Sequence, residues 1–229
     1  SSVISAYGKP ELEETVKEIK PEKKQQNINK KNYYLITSEK EIDQWINEAE
    51  EAGELAIDTE TSSLDAHQAD LVGISLSTKI GKACYIPIGH KFKGCLKKEA
   101  VIKKLKPLLE DKSVKKIGQN IKFDFIVLFK HGINMNSMED TMLMSYVLDA
   151  GKNRHNMDTL SEIHLNHKTI SFKDIVGTGK KEINFSDVEL DKAMEYAAED
   201  ADITYRLYKL FSKSLKLEKL TNIYEIFEK

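Results

Sequence analysis

AIDTETSSL, residues 56–64, places two carboxylates, Asp58 and Glu60, directly after an apolar run. The letters ELAI in that run are typical of a strand that enters a protein core. Alternate residues of a strand share one face, so the two carboxylates are expected to project to the same side, with Thr59 turned away. A strand that ends at Asp58 and continues as a solvated turn fits the same letters equally well. The stretch is therefore a candidate site whose role depends on residues elsewhere in the chain.

The composition excludes several broad classes of protein. Of 229 residues, 40% are hydrophobic, which is enough for one sizeable core. Lys and Arg number 35 against 37 Asp and Glu, so the net charge of −2 gives no overall attraction to nucleic acid or membranes. Cys84 and Cys95 fit neither a disulfide framework nor a CxxC site, which favours a reducing compartment. No apolar run reaches the ~18 residues of a membrane span, so we expect a soluble protein.

The chain divides into a charged N-terminal segment and a folded part. Residues 9–32 mix both charge signs with Pro and amides and offer little apolar surface, so residues 1–32 are predicted to be a flexible linker. Residues 33–229 are predicted to form one domain. It begins with the short strand YYLIT, and the capping-box pair Ser38 and Glu41 then starts a helix that a glycine ends.

Strands and helices follow one another in an order typical of a mixed α/β domain. ELAIDTE, LVGISLST and KACYIPIG have the pattern of three strands in an antiparallel meander. Helical patterns come next in KKEAVIKKLKPLLED, IKFDFIVLFKHG, MEDTMLMSYVLD and MDTLSEIHLNH, with a short strand around VKKIG. One long helix is predicted over residues 190–217.

Two sequence patterns resemble known binding sites too weakly to predict a function. The stretch GTGKKE, residues 177–182, departs from a phosphate-binding loop at its first Gly and at its Ser/Thr, so it is predicted to be a flexible loop. His164 and His167 lie three apart in a helical pattern, but a third zinc ligand is missing nearby. We expect both histidines on an exposed face.

Two other carboxylates lie in helical patterns with a polar partner four residues earlier. In NIKFD, Asn120 and Asp124 are expected to be neighbours on one helix face, with Asp124 inside an otherwise apolar stretch. In YAAED, Tyr196 and Asp200 have the same spacing, and the alanines between them allow close approach. Taken alone, Asp124 is best interpreted as a cap or a boundary residue, and a Tyr and Asp pair at this spacing is common. The order and combination of the three patterns carry the information.

This combination resembles the three motifs of the DEDDy family of 3′→5′ exonucleases, which have a ribonuclease-H-like fold. The motifs are DxE on the first strand, Asn-x-x-x-Asp on a middle helix and Tyr-x-x-x-Asp on a late helix. The segments IDTETSSLD, LVGISLS, YIPIGH, GQNIKFD, DTMLMSYVL, HKTISF and YAAEDAD are also similar, in the same order, to the proofreading exonuclease domain of bacterial family A DNA polymerase I. The resemblance covers residues 54–210 and implies an α/β domain with a mixed sheet and flanking helices.

The resemblance also implies catalysis with two divalent metal ions. Hydrolysis of a phosphodiester near neutral pH needs an activated water and neutralised charge on the attacking and leaving oxygens, which two ions supply. Carboxylate oxygens suit Mg²⁺ or Mn²⁺. On the family pattern, Asp58, Glu60 and Asp200 hold the ion that activates water. Asp58 bridges to the second ion, on which Asp124 acts through water, and Tyr196 orients the attacking water because an ordinary pKa near ~10 makes it a poor base.

The family pattern assigns contacts with the DNA end as well. Leu64 and Phe172 match apolar contacts with bases, and ordinary packing explains them nearly as well. Polar contacts near the terminal nucleotide and its phosphates match Thr61, Gln119, Asn120 and Arg154. Phe123 departs from the pattern, which commonly has Tyr there, and the change removes one hydroxyl without touching the carboxylates.

Together with the resemblance, the sequence predicts a 3′→5′ exonuclease that trims single-stranded or frayed DNA 3′ ends. The implied setting is a monomeric DNA polymerase I chain in the bacterial cytoplasm, associated with the nucleoid. A covalently linked polymerase domain would follow residue 229. One alternative is an RNA-trimming DEDDy exonuclease, and the other is a non-catalytic structural or DNA-binding domain.

Overall fold

The computed structural model describes residue 28 and residues 30–228, so the predicted linker lies outside the described residues up to residue 27 and at residue 29. The described part contains a six-stranded mixed sheet. Its strands are β1 (Tyr33–Leu35), β2 (Glu54–Thr61), β3 (Leu71–Lys79), β4 (Lys82–Pro87), β5 (Lys115–Gly118) and β6 (Met138–Asp140). They lie in the order β1-β4-β3-β2-β5-β6, which confirms the predicted mixed sheet.

Helices flank this sheet. They are α1 (Glu39–Ala52), α2 (Lys98–Glu110), α3 (Lys122–Phe129), α4 (Thr141–Asp149), α5 (Met157–Leu160), α6 (Phe172–Val176), α7 (Leu190–Leu217) and α8 (Thr221–Ile223). Short 3₁₀ turns span Lys30–Asn32, Gly179–Lys181 and Phe185–Asp187, and π-helical turns span Ser161–Leu165 and Tyr224–Glu228. Within the ranges that the structure describes, no helix is long and apolar enough to cross a membrane.

The sheet combines an antiparallel centre with parallel edges. β2, β3 and β4 form the predicted meander, and β1 beside β4, β5 beside β2, and β6 beside β5 are parallel pairs. Glu60 of β2 pairs with Gly73 of β3, and the register shifts immediately after this pair. A bulge of this kind bends a strand and re-aims its side chains. The two carboxylates of β2 therefore lie where regular pairing ends.

Different helices cover the two faces of the sheet. On β2, Leu55 and Ile57 belong to a core with α1, α2 and α3, whereas Ala56 between them packs on the α7 side. Asp58 and Glu60 continue the alternation of Ala56 and therefore face α7. Small buried side chains let α7 approach the sheet closely. These are Ala193, Ala197, Ala198 and Ala201.

The start of helix α1 was predicted correctly from the sequence, and the start of helix α4 was not. α1 begins at the predicted capping box of Ser38 and Glu41 and ends at Gly53, where φ is 67°. The expectation of a helix from the letters MED is wrong, because residues 138–140 form β6 beside β5. Asp140 ends that strand and accepts a hydrogen bond from the Met142 N–H at 2.9 Å, so α4 starts only after it.

Candidate active site

The end of β2 presents Asp58 and Glu60 to the face that α7 covers. Opposite Glu60, Gly73 leaves room for the ring of Tyr85, since a Cβ at Gly73 would lie 2.1 Å from the Tyr85 hydroxyl oxygen. That hydroxyl forms a 2.7 Å hydrogen bond with His90 Nε2. Burial, and then the charge of Glu60, raise the pKa of Tyr85. The glycine thus allows an aromatic ring to pack near the carboxylates.

Helix α7 brings a third carboxylate to this strand end. One oxygen each of Asp58, Glu60 and Asp200 lies within 4.8 Å of the others. Asp200 is 4% exposed, and the fully buried Ala197 and Ala201 on either side of it seat this turn of α7 on the sheet. The structure therefore brings Asp200 to the two acids of β2, from which it is far away in the sequence.

Asp124 reaches the same cavity from the first turn of α3. It is 2% exposed, and its Oδ1 accepts hydrogen bonds from the Thr59 N–H at 2.9 Å and from the Thr59 hydroxyl at 2.6 Å. Thr59 does face away from its two neighbours, as alternation requires, but it contacts the fourth carboxylate. Thr59 lies between Asp58 and Glu60 on β2 and hydrogen-bonds Asp124 on α3, so it links the acids on the two elements.

Burial raises the pKa of each carboxyl group in this cluster, and repulsion between the groups adds to it for Glu60, Asp124 and Asp200. Burial raises the pKa of Asp58 to about 6. For Glu60, burial comes first and the charges of Asp58, Asp200 and Asp124 add to it, so that its pKa lies well above the usual range. Burial and then the charge of Asp58 raise the pKa values of Asp124 and Asp200. In the described part of the chain no ion pair joins these four groups to Lys or Arg.

The donor set fits hard divalent cations. The Oε1 atom of Glu60 is buried and has no hydrogen-bond partner among the described residues. An unpaired buried carboxylate oxygen is costly, and a cation beside it would remove that cost. The converging ligand atoms are carboxylate oxygens, which Mg²⁺ and Mn²⁺ prefer, and the cluster found among the described residues includes no His or Cys. These residues suit a hard metal ion better than zinc.

Tyr196 lies one helical turn before Asp200, and its hydroxyl interacts with that carboxylate. Its ring contacts those of Phe172 and Phe185, with centroid distances of 6.1 and 5.9 Å. Burial, followed by the charges of Asp200 and of the two β2 carboxylates, raises the pKa of Tyr196 above its ordinary value. The hydroxyl is therefore neutral near pH 7, and such a group orients a water molecule without acting as its base.

The carboxylates open into a cavity of about 810 Å³. The residues of its lining that the family pattern assigned to DNA are Thr61, Leu64, Gln119, Asn120 and Phe172. Leu64 is 93% exposed and Phe172 40% exposed, so both offer apolar surface to a bound molecule. Phe123 also lines the cavity. Arg154 is exposed and does not belong to the lining.

Two polar residues of the lining are already engaged by the protein. Gln119 donates from Nε2 to the His155 carbonyl at 2.7 Å and accepts from the Thr141 hydroxyl at 2.5 Å. The Asn120 N–H donates to the carboxylate that caps α4, at 2.9 Å. Asn120 has a φ of 62° and precedes α3, so the expectation that it shares a helix face with Asp124 is wrong. A left-handed turn brings Asn120 to the cavity instead.

Sequence reasoning missed one wall of the cavity. The wall begins at the last residue of the loop predicted at 177–182 and consists of Glu182, Ile183, Asn184 and Phe185. The Ile183 N–H donates to the Val176 carbonyl at 2.9 Å and closes that loop. The two apolar letters of EINF are the signal that could have assigned this segment to the folded domain, because Phe185 is buried and Ile183 lines the cavity.

Comparison with known proteins gives matches over most of the chain. Residues 33–216 match the family model described as 3′-5′ exonuclease. DNA polymerase I of Rhizobium leguminosarum is 44% identical over 218 residues, which cover 86% of this chain and 21% of that protein. The chain thus spans a minor part of the length of this curated relative.

Solved structures share the fold. Escherichia coli RNase D aligns with a TM-score of 0.64 and 15% identity, over 84% of this chain and 48% of that one. Brucella melitensis NrnC with bound Mg²⁺ aligns with a TM-score of 0.58 and 24% identity, over 77% of this chain and 80% of that one. The predicted ribonuclease-H-like architecture is confirmed by the first of these likenesses.

Proposed function

The chain belongs to the family of 3′-5′ exonucleases, and from this premise we propose that it removes nucleotides from single-stranded or frayed DNA 3′ ends with two divalent ions. The observation that carries the proposal is the convergence of Asp58, Glu60 and Asp200, whose ligand oxygens lie within 4.8 Å of one another. Asp124 and Tyr196 line the same cavity. Buried acids with raised pKa values in a cleft are characteristic of functional sites.

The four carboxylates would hold the two ions between them. Asp58, Glu60 and Asp200 would bind one ion, and Asp58 and Asp124 would serve the second. When bound, such ions lower the pKa of water and neutralise charge on the attacking and leaving oxygens of a phosphodiester. Mg²⁺ or Mn²⁺ fits the all-oxygen donor set, and NrnC, which shares the fold, carries Mg²⁺.

Tyr196 would position the attacking water. Its hydroxyl is neutral and interacts with Asp200, and its ring contacts those of Phe172 and Phe185. A fixed, neutral hydroxyl sets the direction of attack and leaves the acidity of the water to its other neighbours. This division of roles explains why a residue with a raised pKa is useful here.

The DNA end would enter as a single strand. Leu64 and Phe172 present apolar surface at the cavity, where contacts with bases are tolerant of sequence. Polar contacts with the terminal nucleotide and its phosphates are proposed for Thr61, Gln119, Asn120 and Arg154. The net charge of −2 supplies no general attraction to DNA, so binding by this domain alone is expected to be weak.

The proposed context is proofreading within a bacterial DNA polymerase I chain. The long relative described above supports a polymerase domain covalently linked to this one. The whole protein is proposed to be a monomer of the cytoplasm that associates with the nucleoid. Residues 1–32 would connect the domain to an earlier part of the chain. Within the described residues, contacts already begin at Ile28, which packs near α7, and Lys30, whose Nζ lies 2.8 Å from Glu199.

A second candidate is RNA trimming, because the fold is shared with RNase D, which its structure describes as an exoribonuclease involved in structured RNA processing. Matched DNA and RNA oligonucleotides, labelled at the 5′ end, separate the two functions. We expect a ladder that shrinks from the 3′ end of DNA in Mg²⁺ or Mn²⁺ and disappears in EDTA. Equal or faster cleavage of RNA would overturn the DNA assignment, and no ladder with either metal would favour a non-catalytic domain.

A further inference from the structure

One wall of the acidic cavity consists of residues 182–185, to which the family resemblance assigns no contact with substrate. Glu182, Ile183, Asn184 and Phe185 all line the cavity that holds the carboxylates. The sequence of this region predicts only the end of a flexible loop. The following contacts show instead that the wall is fixed to the site on three sides.

The side chain of Asn184 fastens the wall to the turn after β2. Its Nδ2 donates to the Ser62 carbonyl at 3.1 Å, and its Oδ1 accepts from the Ser186 N–H at 3.0 Å. Both ends of the amide are therefore used by the protein. The first of these bonds joins the wall to the segment that also carries Leu64, so the two sides of the cavity mouth are tied together.

The residues on either side of Asn184 are fixed as well. Phe185 is 2% exposed, and its ring stacks on Phe172 with a centroid distance of 6.1 Å and an interplanar angle of 9°. It also contacts Tyr196. Before it, the Ile183 N–H is held by the Val176 carbonyl. Ile183 therefore has a backbone position that the site itself determines.

The side chain of Ile183 remains open to the cavity. It is 44% exposed, and it belongs to none of the hydrophobic clusters that the described residues form. Leu64 and Phe172 are the other large apolar side chains that are exposed at this cavity. An apolar surface beside an acidic cluster suits the uncharged face of a nucleobase and offers nothing to a phosphate. Glu182 also favours a base over a phosphate at this wall, because its negative charge would repel phosphates.

We infer that Ile183 is a third apolar contact for a base of the DNA strand, and that Asn184 is the positioning residue that holds it there. The inference rests on the proposed function, because it takes single-stranded DNA as the substrate. The contact is to a base face and therefore does not distinguish sequences. It raises the affinity for the strand and leaves the hydrolytic step, which the carboxylates carry, unchanged.

The test compares Ile183→Ala with Ile163→Ala, a matched control. Ile163 is 48% exposed and lines a different concavity, between α4 and the end of α7. The readouts are KM and kcat on single-stranded oligothymidylate in Mg²⁺, and Kd for the same fluorescent strand in Ca²⁺. For Ile183→Ala, the loss of an apolar contact predicts a KM and a Kd about fivefold to tenfold higher with kcat within about twofold. Ile163→Ala should match the wild type.

Two further variants separate contact from structure. Ile183→Leu should restore most of the affinity, since it keeps the apolar volume, and Asn184→Ala should weaken binding about as much as Ile183→Ala. Unchanged KM and Kd in Ile183→Ala, or an equal loss in Ile163→Ala, would overturn the inference. A wild-type protein that binds the strand without cutting it would refute the proposed hydrolysis, and the Kd comparison would still decide the role of Ile183. A wild-type protein that does not bind the strand would overturn both.

Discussion

Helix α7 carries two buried aspartates, Asp200 and Asp202, in opposite surroundings. Asp202 is fully buried and accepts hydrogen bonds from the Tyr33 hydroxyl at 2.8 Å, the Gly81 N–H at 2.7 Å and the Arg206 Nε at 3.1 Å. Asp200 instead faces the two carboxylates of β2, and burial followed by the charge of one of them raises its pKa. Burial alone therefore does not mark a functional acid, whereas burial among like charges does.

Glu199, directly before Asp200, belongs with the satisfied acids. It is fully buried, and its carboxylate contacts His167 Nε2 at 2.9 Å, the Ile170 N–H at 2.7 Å and Lys30 Nζ at 2.8 Å. The expectation that His164 and His167 lie on an exposed face is wrong. Both are partly buried, His167 against this carboxylate and His164 against the ring of Phe211. Two acids of this stretch of α7 thus hold the fold together, and the one between them serves the cavity.

The largest expected effect is the loss of exonuclease activity when Asp200, and not Asp202, is replaced. Asp200→Asn removes a charged metal ligand and should lower the exonuclease rate at least about a thousandfold, on the order of 4 kcal/mol in activation free energy. Its metal-free form should be at least as stable as the wild type, because repulsion with Asp58 is relieved. Single-turnover cleavage and urea unfolding measure the two quantities.

The matched control, Asp202→Asn, should show the reverse. Loss of the charged partner of Arg206 should lower the free energy of unfolding by about 3 kcal/mol. The rate per folded molecule should stay within about threefold of the wild type, because Asp202 does not line the cavity. A variant of Asp200 that loses only stability, or a variant of Asp202 that loses only activity, would contradict the assignment of Asp200 to catalysis and Asp202 to stability.

The next largest expected effect is the pH dependence of stabilisation by Mn²⁺. Burial raises the pKa of Asp58 from its ordinary value of 3.8 to about 6 in the folded protein, so the metal-free folded protein binds more protons than the unfolded chain between these two pH values. Its stability therefore falls as pH rises through this window. Bound Mn²⁺ would take the place of those protons, so the increase in Tm on adding Mn²⁺ should be larger at pH 8 than at pH 5. Equal increases at both pH values would count against a metal site here.

Tyr196→Phe should have a smaller effect than loss of a carboxylate. The four acids remain, so the affinity for Mn²⁺ measured by calorimetry should not change. The attacking water would be less well oriented, and the rate should fall about tenfold to a hundredfold. A large loss of Mn²⁺ affinity would mean that the hydroxyl supports the metal site and not the water.

Thr59→Val should have the smallest effect. It removes the hydroxyl donor to Asp124 but keeps the backbone N–H donor. Because one of the two hydrogen bonds that orient Asp124 is lost, the activation free energy should rise by about 1 kcal/mol, roughly a fivefold loss of rate. Thr78→Val is the control, because the Thr78 hydroxyl bonds Glu48 away from the cavity. Equal rates for both variants would show that the backbone bond alone holds Asp124.

Local patterns were sufficient to predict most of the fold. The alternation in β2 correctly indicated that Asp58 and Glu60 share a face, and the capping box placed the start of α1. The three letters of β6 carry no strand signal of their own, because their conformation depends on pairing with β5. Short strands of this kind are set by tertiary contacts, so sequence periodicity does not find them.

The structure gathers most of the candidate site residues at one cavity, in a geometry that the sequence does not predict. Asn120 reaches the cavity through a positive φ that only the folded chain reveals, and Thr59 contacts Asp124 across a layer that periodicity does not describe. Ile183 was missed because its neighbours in sequence indicate a loop. The fixed position of Ile183 comes from its own N–H bond to the Val176 carbonyl and from the bond that Asn184 makes to the distant turn after β2. Long-range contacts of this type cannot be inferred from one sequence.

The most direct test of the central claim is the single-turnover rate of Asp58→Ala on a 5′-labelled single-stranded DNA in Mg²⁺ and in Mn²⁺. If the converging carboxylates hold the catalytic ions, the wild type produces a ladder from the 3′ end and the variant is slower by at least about a thousandfold, on the order of 4 kcal/mol. A variant that keeps a rate within about tenfold of the wild type would contradict the assignment of this cluster as the active site.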